Sequence, residues 1–386
     1  MAMETNNTPA LRFPGFAEEW EEKTLGEVFK TYSGGTPDTT KKKAYYGGTI
    51  PFIRSAEINK EETELFLTQE GLEKSSAKLV NKGDLLVALY GANSGDSAIA
   101  KINGAINQAV LCLQSENSNV FVQNFLQHNR ELITQKYLQG GQGNLSGEII
   151  KSIRVPFPSS KEQQKIADCL SSLDELITAA VERLEGLQQH KKGLLQRLFP
   201  CEGSNTPELR FAGFTGAWEE KTLGEVLSYI QPTPYIVDST VYDSAGIPVL
   251  TAGKTFVLGY TDEADGIFTN LPTIIFDDFT TESRYINFPF KVKSSAIKML
   301  TLKDDNNDLY FLYSLMSTID FTVGAHKRYW ISEFQNLIVS IPSLPEQQKI
   351  ASCLSSLDTL IEAQQERITL LKTHKKGLLQ QLFPHH

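Results

Sequence analysis

The chain has no run approaching the roughly eighteen consecutive apolar residues that a membrane-spanning helix needs. Its polar start, Met1 to Leu11, lacks the basic-then-apolar order of a secretory signal. Cysteine is scarce: Cys112, Cys169, Cys201 and Cys353 are widely spaced with no CxxC pair, which suits a reducing cytoplasm better than a disulfide scaffold or a zinc site. Catalytic signatures are missing as well. There is no GxxxxGK[ST] phosphate loop, no NPPY-like tetrapeptide, no glycine-rich entry for S-adenosylmethionine and no G-x-S-x-G elbow. An excess of positive charge is also lacking. The net charge of −9 argues mildly against nucleic acid, although Lys41–Lys43 and the His326-Lys327-Arg328 knot are local exceptions.

What the chain does contain is itself, twice. Residues 7–28 recur at 205–226 with 17 of 22 positions identical, an offset of 198. EQQKIADCLSSLDELI at 162–177 recurs at 346–361, and HKKGLLQRLFP at 190–200 recurs at 374–384, both at offset 184. Between these blocks, residues 29–157 and 227–341 share almost no recognisable sequence. Neither an even solenoid nor an evenly drifting duplication looks like this; a fixed frame carrying two exchangeable heads does.

Within the frame, Ile166, Leu170, Leu173, Ile177, Ala180, Leu184, Leu187, Leu194 and Leu198 alternate spacings of four and three, broken only by Lys191. Ile350, Leu354, Leu357, Ile361, Ile368, Leu371, Leu378 and Leu382 do the same, interrupted by Gln364 and Lys375. This is a heptad seam, and it predicts two long helices that pair as an antiparallel coiled coil. The plainer alternative is an amphipathic helix lying on a globular core. Pro156, Pro158, Pro342 and Pro345 precede the helices; Pro200 and Pro384 end them. At about 1.5 Å per residue each helix is a rod of roughly 55 Å. The block order is that of a circle cut after residue 384, so the termini are expected together and the halves related by a pseudo-two-fold axis.

The heads read as mixed α/β (α+β). Thr49–Ser55, Asp84–Tyr90 and Ala109–Leu113 suit strands in the first, followed by a helix over Val120–Leu138. In the second, Ile247–Leu250 and Ile274–Phe276 suit strands and Leu309–Ile319 a helix. Loops rich in amides, hydroxyls and arginine, the groups that read base edges and phosphates, supply the candidates. In head one these are Lys41, Lys42, Lys43, Arg54, Asn93, Ser94, Asn107, Gln108 and Gln142; in head two, Lys254, Thr280, Thr281, Arg284, Lys327, Arg328 and Tyr329. For any one of them, solvated surface decoration is the competing reading. Asp277 and Asp278 could be imagined as metal ligands, but a hydrogen-bonded loop suits them better, and no catalytic or metal site is assigned.

Two variable heads, each introduced by LRF-x-GF…W…LGE and closed by an EQQKIA helix ending GLLQ-x-LFP, resemble the specificity subunit of Type I restriction–modification systems. The likeness covers nearly the whole chain and divides it into recognition domains at 1–158 and 201–342 and helices at 159–200 and 343–384. It implies two target-recognition domains that each read half of a split, asymmetric site in double-stranded DNA, with the helices as a ruler. It also implies two methyltransferase subunits docked on the repeated segments, and endonuclease subunits joined to that core. Glu162, Gln163, Ile166, Leu170, Leu173, Ile177, Leu184, Leu187, Glu346, Gln347, Ile350, Leu354, Leu357, Ile361, Ile368 and Leu371 are the docking and coiled-coil residues expected on this basis. S-adenosylmethionine would belong to the methyltransferase, ATP and Mg to the endonuclease, and no cofactor or enzymatic activity to this cytoplasmic chain. Two rivals stand beside this: a two-headed binding scaffold with no nucleic acid, favoured by the pI of about 5.3, and a nuclease or methyltransferase with its own site.

Overall fold

The computed structural model describes residues 8–115, 117–138, 144–201, 203–252, 255–323 and 328–384. They form two compact units, Met1–Val181 with Arg367–His386 and Glu182–Glu366. Each unit therefore holds one head, the first half of one long helix and the second half of the other. The packing cuts the helices in the middle, where the sequence suggested division at their ends.

The long helices span Ser160–Leu198 and Leu344–Leu382, 39 residues each. Pro345 lies inside the first turn of the second, where its missing N–H costs nothing. Every residue of the two apolar stripes is buried or half-buried, Lys191, Gln364 and Lys375 included. In the first unit Lys375 Nζ lies 2.6 Å from the Asp174 carboxylate, which places the end of the second helix beside the start of the first, antiparallel. In the second unit Lys191 makes the equivalent pair with Asp358. The seam lysines thus end on carboxylates.

At its start each long helix also lies on a head. Ile166 and Leu170 join the first head's core with Leu382 and Phe383, and Ile350 and Leu354 join the second with Leu198 and Phe199. Both readings of the stripe are therefore realised, at different turns. Phe383 packs 5.2 Å from Phe121, which meets Trp20 edge-on at 5.9 Å. Phe199, Phe311 and Trp218 repeat that arrangement at 5.3 and 5.8 Å.

The EQQ motif ties these parts together. Arg12 forks onto Glu162 through Nε and an Nη at 2.8 and 2.6 Å, and Arg210 onto Glu346 at 2.7 and 2.8 Å. Gln163 accepts from the backbone N–H of Ser118 and donates to Asn117 and to the Pro158 carbonyl. Gln347 does the same for Asp308, Asn307 and Pro342. Ser118 and Asp308 are the N-caps of the head helices Asn119–His128 and Leu309–Met316. Glu162, Gln163, Glu346 and Gln347 are all at most 2% exposed, so they hold this chain together and have no surface left to dock a partner. The expected meeting of the chain ends holds within the first unit, where Leu11 N–H donates to the Gln381 carbonyl at 2.9 Å. Leu209 N–H donates likewise to Arg197 in the second. Among the described residues no helix is long and apolar enough to cross a membrane.

Removing one partner of a buried charge pair strands the other. Arg12→Ala and Arg210→Ala are each expected to destabilise their own unit by roughly 3 kcal/mol in urea unfolding followed by tryptophan fluorescence. A variant unchanged in midpoint would show that its Arg–Glu fork contributes nothing.

Candidate nucleic-acid interface

The heads that share no recognisable sequence share a topology. In head one an antiparallel sheet runs in the order Lys30–Ser33, Val110–Gln114, Leu85–Ala88, Ser97–Ile99; in head two the order is Leu227–Ile230, Ile297–Leu302, Thr273–Asp277, Ser283–Ile286. A second sheet in each pairs one strand antiparallel to its successor and parallel to a later one. Those are Tyr46–Ile53 with Phe66–Leu67 and Gly104–Ile106, and Ile247–Leu250 with Val257–Thr261 and Lys291–Val292. Head one adds the strand Lys78–Val80 to this sheet. The single helix expected over Val120–Leu138 breaks at Asn129 into Asn119–His128 and Arg130–Leu138. Each head enters and leaves through one antiparallel ribbon, Glu21–Thr24 with Arg154–Phe157 or Glu219–Thr222 with Ile338–Ile341. The heads are thus insertions into the frame.

With the strands matched, the candidate loops match too. The 89–96 and 278–282 turns close the same hairpin between the third and fourth strands of the main sheet. The 54–65 and 251–256 connections join the same two strands of the second sheet. The sequence marked these loops one by one; the topology makes them counterparts.

The Type I restriction modification DNA specificity domain matches the chain twice, over residues 17–189 and 216–373, so that each match takes one head with most of the long helix that follows it. The chain belongs to that family. It is 44% identical over 146 residues to the Type I restriction enzyme EcoR124I/EcoR124II specificity subunit of Escherichia coli, spanning 36% of this chain and 36% of that protein. Identity to the Type I restriction enzyme MjaIX specificity subunit of Methanocaldococcus jannaschii is 27% over 405 aligned positions, covering 95% and 93% of the two chains. The crystal structure of a Type I S subunit from M. genitalium has the same fold, with a TM-score of 0.68 at 18% identity over 98% of this chain and 100% of that one. The reading of two recognition heads on a helical frame stands.

Within this specificity subunit three of the head-one candidates, Lys42, Arg54 and Asn107, line one cleft of about 280 Å³ together with Thr36 and Tyr46. Gly34 begins its loop because nothing larger fits: a Cβ there would lie 1.8 Å from the Ile106 carbonyl oxygen. Thr36 donates to Gln108 at 2.7 Å, and Lys41 lies over the Tyr45 ring at 5.7 Å, so the three exposed lysines Lys41–Lys43 rim an anchored loop. Arg54 is a wall of the cleft. Its guanidinium is committed to Glu57 at 2.9 Å and Glu64 at 2.6 Å. Ser94 is buried and its hydroxyl donates to the Leu89 carbonyl, which removes it from the candidates. Asn93 is half-buried in the same turn, where its backbone carbonyl accepts from Asp96 N–H.

In head two Asp277 and Asp278 are spent on structure. Asp277 accepts from Phe279 N–H and the Thr280 hydroxyl, and Thr281 sits in the left-handed region at φ 63°. Asp278 is buried, accepts from Trp330 N–H at 2.9 Å and lies 3.7 Å from Lys298, itself fully buried. Tyr329 is 2% exposed, so its ring belongs to the core and cannot meet a base. Arg328 and Arg284 are exposed, and Arg284 lies over the Phe256 ring. Gln142, Lys254 and Lys327 lie outside the described residues. The pairings of Arg54 and Ser94 were missed because both partners come from ordinary-looking positions with no motif around them.

Burial alone would raise the Glu57 carboxyl. The Arg54 guanidinium and the backbone N–H groups of Glu64 and Arg54 outweigh it and hold the group at about 2. A depressed carboxyl stabilises the fold fully above its unfolded value of about 4.3, and that stability is lost as pH falls through about 2. Head one should therefore lose thermal stability progressively between those two pH values, and Glu57→Gln should flatten the slope in that window. An unchanged slope in the variant would remove Glu57 as its source.

Proposed function

We propose that each head reads one half of a bipartite, asymmetric site in double-stranded DNA, and that this chain is the non-catalytic specificity subunit of a cytoplasmic Type I complex. What carries the reading is the pairing of a repeated frame with two heads of one topology and unlike loops: two equal seats, two different texts. A rod of roughly 55 Å accommodates half-sites one DNA turn, about 34 Å, apart. Much of the positive charge that DNA requires would come from partners, which eases the chain's own net charge of −9.

Two copies of one partner need the same surface twice. The buried EQQ residues do not offer it. Leu176 and Leu360, equivalent under the repeat and 48% and 50% exposed, are apolar points on otherwise polar helix faces. We assign to them part of the docking surface for two methyltransferase subunits, which hold the S-adenosylmethionine; translocating endonuclease subunits, with their ATP and Mg, join that core. Leu176→Glu with Leu360→Glu should reduce co-purification of the methyltransferase at least tenfold while thermal unfolding of the chain is unchanged. Full retention of the partner would move the docking surface elsewhere.

The function itself is tested by mapping modified adenines genome-wide in cells that co-express the chain with its methyltransferase. A single motif of two dissimilar halves separated by a fixed gap is the expected result. An assembled pair that marks no motif would overturn the reading in favour of a scaffold that binds something other than DNA.

A further inference from the structure

Five of the seven arginines described in the heads and their entry segments are paired with this chain's own carboxylates. Arg12 pairs with Glu162, Arg54 with Glu57 and Glu64, Arg130 with Asp96, Arg154 with Glu22, and Arg210 with Glu346. Among the described residues of the heads, Arg284 and Arg328 have no such partner. Arg328 adjoins residues outside the described set. Arg284 does not, and its surroundings are built.

Arg284 lies in the edge strand Ser283–Ile286, opposite Ile275 of the neighbouring strand. Its guanidinium carbon stands 4.5 Å from the centre of the Phe256 ring, which lies on the 251–256 connection of the second sheet. An edge strand and the connection before another strand, 28 residues apart at this pair, thus meet in one stack. A guanidinium plane laid on an aromatic face keeps its N–H donors around the rim, so the stack orients the fork without consuming it. The strand beneath is held by the Asp277-capped turn and by the buried Asp278–Lys298 pair behind it. Desolvation, entropy and competing pairing are the usual obstacles to a long cation reading a base. Here the second and third are already settled before DNA arrives.

Among the described residues head one has no arginine stacked in this way. The strand residue opposite Leu86, which faces that head's second core as Ile275 does in head two, is Ala98, buried and small.

We propose that Arg284 is the guanine-reading residue of head two, its fork held against Phe256 and donating to O6 and N7 of one guanine in the major groove. The proposal rests on head two being a DNA-recognition domain. It predicts that the half-site read by head two contains a required guanine at one position, and that head one does not read its half through an equivalent arginine.

The test compares the wild-type chain, Arg284→Ala and Arg284→Lys, each with the methyltransferase, by mapping modified sites and by titrating duplexes carrying 7-deazaguanine at each guanine of the motif. In the wild type one 7-deazaguanine position should weaken binding. In Arg284→Ala that position should tolerate other bases, with discrimination reduced about 5- to 150-fold, while the other half-site is unchanged. Arg284→Lys keeps the charge but loses the fork and should relax the same position. An unchanged motif in both variants overturns the proposal. So does a uniform loss of affinity with the motif intact, which would make Arg284 a phosphate contact. A wild-type complex that marks no split motif would instead sink the recognition reading itself. Should Arg284→Ala fail to fold, the Lys variant and the 7-deazaguanine series still decide the matter.

Discussion

Everything in each unit hangs on two adjacent side chains at the first turn of its long helix. The glutamate takes the arginine of the entry segment as a buried bidentate pair, and the glutamine beside it caps the first turn of a helix in the head. Charge-assisted forks of this kind are strong and directional, and glutamine can accept and donate at once. The dipeptide therefore fixes three separate pieces of chain at one point: the segment before the head, the head, and the helix after it. The third piece brings the far end of the other helix with it, because Phe383 and Phe199 enter the same cores.

The frame was legible in the sequence because duplication wrote it out twice. The stripe positions, the helix ends and the meeting of residues near 11 and 381 all follow from block order and spacing, and the structure agrees within each unit. What spacing concealed was how the stripe is used. A heptad pattern says that a face is apolar and not what covers it, so Ile166 and Leu170 read as pure seam although they also line a head. The EQQ residues read as surface because Glu and Gln usually are; the glutamates are buried against an arginine 150 or 136 residues earlier, and the glutamines against the start of a head helix.

The heads were legible as strands and loops but not as copies of each other. Antiparallel strands constrain polarity at alternate positions and little else, so two sequences can build one sheet order with no shared residues. Phe121 and Phe311 show the limit of this: they do the same work against Trp20 and Trp218, yet the asparagine four residues before each, Asn117 and Asn307, is almost all that matches around them. The candidate loops fared unevenly for a related reason. Whether Arg54 or Arg284 is free depends on carboxylates and rings brought in by folding, and a list of residue types carries no such information.

The socket that receives a head asks for little. It tests a helix N-terminus whose backbone N–H donates to the glutamine, one asparagine beside it, one phenylalanine for the aromatic cluster, and an entry ribbon whose strands pair through the backbone. These are mostly main-chain demands, indifferent to side-chain identity. A head could therefore be replaced wholesale, or its loops rewritten, without a search for compensating changes elsewhere in the protein. Stability and specificity are then inherited separately, and selection can act on one without disturbing the other.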